Sequence, residues 1–222
     1  LYLAIIVLGI FAEAIVRSPL IVRDDAAATA KNILASESRW RLAFAGTLVM
    51  LVCAVGVALV MYVLLRPVNR NIALLAVFFN LVSISIEGIN DLFHLTAVLL
   101  LGDATSLKTF EPRQVQTLAY FSLRLFGHGY GISLVFFGFW CIVTGYLIFK
   151  STFFPRVLGV FMAIAGVCYE INSFALFLSP VLARALFPGI VLPAGLAELA
   201  LCLWLIVVGV NVPKWEAKAK EG

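Results

Sequence analysis

"IALLAVFFNLVSISIEGINDLFHLTAVLLL", Ile72 to Leu101, decides the fold. A helix of that length reaches about 45 Å, beyond the roughly 30 Å hydrocarbon core of a bilayer. The run contains no proline, and its polar residues are few. Runs of the same kind follow along the chain at Ala43–Leu65, Gly131–Phe149, Val157–Leu178 and Ile190–Val212. The chain opens on a further apolar stretch, "LYLAIIVLGIFAEAIV". We read it as a first span whose opening residues precede Leu1. A signal peptide is the other reading, but Arg17, Ser18 and Pro19 follow instead of a small-x-small cleavage site.

Composition agrees with a membrane chain. Of 222 residues, 63% are hydrophobic and 13% charged, with a mean hydropathy of +1.08. Soluble domains are about half apolar and about a quarter charged. The net charge is +4, but the basic residues stand at span ends and loops, so nucleic acid is not a partner. Cys53, Cys141, Cys168 and Cys202 lie on four separate apolar runs without a C-x-x-C pair. They are expected to be small packing residues, not disulfides or thiolate ligands.

The expected fold is therefore all-α: a polytopic membrane protein, a six-transmembrane-helix bundle forming a single domain over 1–222. The spans cover about 1–17, 40–65, 72–101, 117–149, 157–178 and 190–212. Residues 18–39 form an outer loop with a short surface helix, capped by Asp24 or Asp25. Ile33 and Leu34 of that helix rest on the membrane surface or over the mouth of the bundle. Pro112 suits the first turn of the fourth helix. Trp40 and Trp215 flank spans as interface anchors. The links holding Arg66, Arg70, Lys150 and Arg156, and the 213–222 tail with Lys214, Lys218 and Lys220, are opposed only by Glu216 and Glu221. Short basic links belong inside, so both termini are expected to be cytoplasmic.

The polar residues of the opening stretch set the functional question. A charge at a helix centre costs about 2.5–3.5 kcal/mol on insertion scales. At about 100° per residue, Glu87, Asp91 and His94 share one stripe, which Ser83 and Asn90 widen. Counted at about 1.5 Å per residue from the inner ends, Glu87, Glu170 and Glu198 all reach about 21–22 Å. His94 and His128 reach about 33 Å, with Asp91 at about 28 Å. These positions predict an outward-opening polar cavity with Glu87, Glu170 and Glu198 as a deep acid/base layer. Asn90, Arg124, Tyr130, Asn172 and Glu13 would bind substrate. Arg17 reads as a snorkelling residue paired with Glu13, and Arg124 as a partner for Asp91 or an anionic headgroup.

Several chemistries suit such a cavity. His94, His128 and Asp91 form a candidate two-histidine, one-carboxylate site for a divalent metal, zinc or iron. The same histidines could clamp a haem. Without a metal, a desolvated glutamate could protonate a lipid or isoprenoid. The first expectation is a small membrane-embedded enzyme acting on a lipid or other apolar substrate. The alternatives are a proton-coupled or small-solute transporter, and an accessory subunit that binds haem or pigment. Against transport, no broken helix pair is evident in the sequence.

Five stretches carry a family resemblance: "AIIVLGIFAEAIVRSPLIV", "DDAAATAKNILASE", "YVLLRPVNRNIALLA", "GYLIFKSTFFPRVLGVFMAIAGVCY" and "LAELALCLWLIVVGV". In that order they resemble a bacterial integral-membrane family, domain-of-unknown-function family 4386. The resemblance implies a helical protein of the bacterial cytoplasmic (inner) membrane. It implies no activity and no catalytic residues.

Overall fold

The computed structural model describes residues 1–102 and 109–221, the side chain of Glu221 excepted. Among them no strand occurs, and six helices are long and apolar enough to cross a membrane. In chain order the helices are α1 (Tyr2–Leu20), α2 (Ala26–Ala35), α3 (Glu37–Leu65), α4 (Arg70–Gly102), α5 (Pro112–Lys150), α6 (Arg156–Leu178), α7 (Pro180–Leu186), α8 (Gly189–Val207) and α9 (Val212–Glu221). Six spans fall where hydropathy put them, with α3 and α5 longer at their N-terminal ends; the sixth stops at Val207, not 212, and a separate helix begins at Val212. Many large apolar side chains face outward, Val52 at 73% and Ile89 at 70% exposure among them. In water such a surface would aggregate; against lipid it has no cost.

The chain divides into two compact units. The first comprises Leu1–Ala54 and Ile86–Tyr130, the second Val55–Ser85 and Gly131–Gly222. Each is described on its own.

In the first unit, α2 is the short helix foreseen from the alanines. Asp25 caps it, accepting from the Ala28 N–H at 2.8 Å. Asp24 before it takes a left-handed φ of 59°, and its N–H donates to Tyr120 Oη at 2.8 Å. Ile33 does not lie on the membrane surface. It is fully buried against Trp40, Ala97, Val98, Ala119 and Leu123. Trp40 is likewise 1% exposed and belongs to this core, not to an interface belt. Pro112 opens α5, as expected, where a missing N–H has no cost.

In the second unit, α5 and α6 approach through paired glycines. A Cβ on Gly145 would stand 2.6 Å from the Gly159 carbonyl oxygen, and one on Gly159 equally near the Gly145 oxygen. One Cβ further, on Gly138, would meet the Gly166 oxygen at 3.1 Å. The glycines recur every seven residues on both helices, so antiparallel packing brings backbone onto backbone twice. Beyond the end of α8 at Val207, Gly209 takes a left-handed φ of 73°, a conformation that favours glycine.

Candidate functional site

The densest polar group lies inside the first unit. Its two main helices are both irregular there. In α1, residues Ile10–Arg17 are π-helical, closed by the Ser18 N–H donating to Glu13 O. In α4, helix geometry is interrupted at Asp91. The Asp91 carbonyl is shared by the N–H groups of His94 at 3.0 Å and Leu95 at 3.2 Å. Such π turns and breaks re-aim side chains, and they concentrate at working sites. Both helices run on through these irregular turns: the Asp91 N–H still donates to Glu87 O at 2.9 Å.

These turns aim Arg17 and Asp91 at each other. Arg17 Nη2 lies 3.1 Å from Asp91 Oδ1, with the two side chains 4% and 1% exposed. The same guanidinium nitrogen donates to Thr47 Oγ1 at 3.2 Å. Thr47 in turn donates to Ala43 O at 3.1 Å. His94 Nδ1 donates to the same Asp91 oxygen at 3.2 Å. One carboxylate oxygen therefore serves a guanidinium and an imidazole together. Asp91 Oδ2 and Arg17 Nε are buried without a hydrogen-bond partner.

Aromatic side chains close the group. The His94 ring lies 3.6 Å from the Phe126 ring, centroid to centroid, and 5.5 Å edge-on from Trp40. Trp40 Nε1 also donates to His94 O at 2.9 Å. Arg17 stands 5.7 Å over the Phe126 ring, a cation–π contact. The centre is enclosed: Arg17, Asp91 and His94 are 3%, 0% and 2% exposed. Within this unit the three side chains are shielded by Trp40 and Phe126.

The remaining predicted residues divide clearly. Asn90 is buried beside the centre. Its amide donates to Phe126 O at 2.9 Å, and it occupies the space that Gly129 leaves open, where a Cβ would be 2.6 Å from Asn90 Cγ. Glu13 reaches Arg17 at 3.9 Å with its side chain 56% exposed. Glu87 is half-buried and within electrostatic range of Asp91, Arg17 and Glu13. Arg17 is thus no snorkelling residue: it takes the place at Asp91 that Arg124 was expected to fill. Arg124 is exposed, and its carbonyl accepts from His128 Nδ1 at 2.8 Å. His128 is exposed as well, and Tyr130 stacks at 6.1 Å on Phe126.

The metal triad is not assembled. The structure joins His94 to Asp91 but leaves His128 apart, and among the described residues no three His, Cys, Asp or Glu side chains converge to hold an ion. The reason is local: His128 turns back onto its own helix.

Glu170 and Glu198 belong to the second unit and Glu87 to the first. Tyr169 Oη donates to Glu198 Oε1 at 2.5 Å. Glu170 lies over Gly138, where a Cβ would stand 2.5 Å from its Oε1. Both carboxyls are within electrostatic range of buried Cys141. Asn172 is half-buried on α6. A small recess in this unit is lined by residues such as Ala58, Met61, Ala76, Trp140 and Thr144, without a carboxylate or an imidazole. All four cysteines are free.

Sequence reasoning missed Arg17, Trp40, Thr47, Phe126 and Tyr169 as members of polar groups. Only Arg17 left a signal, as a cation just inside the end of an apolar run.

No solved structure matches the chain. A relative from Archaeoglobus fulgidus, described as an uncharacterised protein, is 27% identical over 168 residues, spanning 74% of this chain and 82% of the relative. The family model described as "Domain of unknown function (DUF4386)" matches residues 1–209, and the chain, a multi-pass membrane protein, belongs to that family.

Proposed function

We propose that the protein is a small proton-coupled transporter of a polar solute, with Asp91 as its exchange point. One observation carries the reading: a fully buried carboxylate, at an irregular turn of α4, is shared by Arg17 and His94. Buried charge within a membrane is expensive and marks solute and proton paths by default. Charge counting points the same way. Arg17 faces three carboxyl groups, those of Glu13, Glu87 and Asp91. It balances one. The remaining negative charge is met by protons or by a cationic solute, which is the condition for coupling the two. The π stretch in α1 and the irregular turn of α4 are the points of the bundle wall at which a change in the enclosed centre would act. The basic links support an orientation with both termini in the cytoplasm, and the family resemblance supports the cytoplasmic membrane of a bacterium.

A second reading is retained on a specific observation. An imidazole oriented by a carboxylate is a general-base arrangement, so Asp91 and His94 also suit an enzyme acting on a lipid substrate.

The test is flux in proteoliposomes loaded with a pH-reporting dye. Small organic cations, organic anions and sugars are added in turn. The expected result is that one class moves protons in wild type at least about tenfold faster than in D91N, the loss of a residue acting only in transport. If no class moves protons beyond protein-free vesicles, the transport reading fails. Altered lipid recovered from the same vesicles would establish the enzyme instead.

A further inference from the structure

The second unit gathers basic residues from three separate segments at one end. The segments are the end of α3 with its link to α4, the α5–α6 link, and α9. Side-chain and backbone bonds hold them together. Trp215 Nε1 donates to Leu64 O at 3.0 Å, fixing α9 to the last turn of α3. The Asn211 N–H donates to Phe153 O at 3.3 Å, fixing the start of α9 to the α5–α6 link. Asn211 also caps α9, accepting from the Lys214 N–H at 3.1 Å. The α5–α6 link is itself ordered: Phe153 and Phe154 are buried, and Ser151 Oγ accepts from the Phe154 N–H at 3.2 Å.

The result is a predominantly basic surface. Arg66, Arg70, Lys150, Arg156, Lys214 and Lys220 are all exposed. Lys150 and Arg156 are held over the rings of Tyr146 and Phe149, at 6.0 and 5.7 Å. Glu216 is the acidic residue described among them. Directly beside the cations, Val157, Val160 and Phe149 are 53%, 42% and 41% exposed. A cationic rim next to an outward apolar wall matches one kind of occupant: an anion joined to acyl chains.

We propose that this end of the second unit is a docking surface for anionic phospholipids. Phosphate sits among Arg66, Arg70, Arg156 and the α9 lysines, and acyl chains lie along Val157 and Val160. A soluble acidic protein or a nucleic acid would use the cations but not the apolar wall. In this arrangement α9 is a strap that completes the site.

The test uses the full chain in nanodiscs of equal parts phosphatidylcholine and phosphatidylglycerol. Lipids retained on the protein after gentle detergent extraction are counted by native mass spectrometry. Wild type is expected to retain phosphatidylglycerol about fivefold or more over phosphatidylcholine, an excess that high salt erodes. The surface variant R66Q/R70Q/K214Q/K220Q is expected to fall to near parity. Equal retention of both lipids by wild type, or an excess unaffected by salt, overturns the proposal. So does a folded variant that keeps the full excess.

Discussion

The two units contain carboxyl groups among equally apolar helices, yet they accommodate them in opposite ways. In the first, Asp91 is matched by a full cation, Arg17, and steadied by His94. In the second, among the described residues, neither Glu170 nor Glu198 has a salt-bridge partner. Glu198 is met by a tyrosine hydroxyl, whereas both carboxyl oxygens of Glu170 are buried over Gly138 without a hydrogen-bond partner among the described residues. The first arrangement is charge against charge, strong and unforgiving. The second relies on one hydroxyl bond and on close fit, with no countercharge. The difference teaches where a proton or a charged solute would matter most: at the centre whose balance depends on net charge.

The largest test removes the cation. R17M leaves Asp91 buried and uncompensated, and is expected to cost about 3–5 kcal/mol of stability. Thermal unfolding in nanodiscs measures it. The double variant R17M/D91N should recover part of the loss, because a neutral pair no longer buries an unpaired charge. A double variant as poor as the single one would mean that Arg17 acts through packing alone.

Next comes the glycine seam of the second unit. G145V places a branched side chain where a Cβ already meets the Gly159 oxygen at 2.6 Å. Overpacking of this kind costs about 1–3 kcal/mol or more. The loss should leave proton flux per folded molecule unchanged, since the seam lies outside the Arg17 centre.

The comparison is sharpest at the two carboxyls themselves. E198Q keeps an oxygen for Tyr169 and is expected to change stability by about 1 kcal/mol or less, whereas Y169F removes a net contribution of about 1 kcal/mol. A cost for E198Q as large as that for R17M would erase the distinction between the units. The smallest and most local effect is D25A. Loss of the α2 cap costs about 1 kcal/mol, and is expected to appear as faster proteolysis at α2 with proton flux unaffected.

Much of this was legible in the sequence. Hydropathy located six spans, because a bilayer requires some twenty apolar residues whatever the tertiary packing. Asp25 and Pro112 read correctly because caps and first turns are local chemistry. The polar stripe of α4 was visible too, and Asp91 and His94 do meet. What the sequence hid was the partner. Glu13 stands one turn before Arg17, so a local ion pair looked sufficient, while the pairing across 74 residues depends on a π turn with no hydropathy signature. Depth counting assumed straight helices, with the glutamates in a deeper layer than the histidines, and it could not foresee that His128 bonds back to Arg124. Trp40 looked like an anchor because it flanks a span; its burial comes from α2 folding over it.

The central claim is that the Arg17–Asp91–His94 centre takes up and releases protons inside the membrane. Trp40 stands edge-on to His94 at 5.5 Å and is a built-in reporter, since a charged imidazole quenches a neighbouring indole. The measurement is the fluorescence difference between wild type and W40F in nanodiscs across the pH range where imidazoles and carboxyls titrate. The account predicts a reversible change in that difference, lost in H94Q and displaced in D91N. A difference signal that stays flat with pH, or that titrates identically in H94Q, would contradict it.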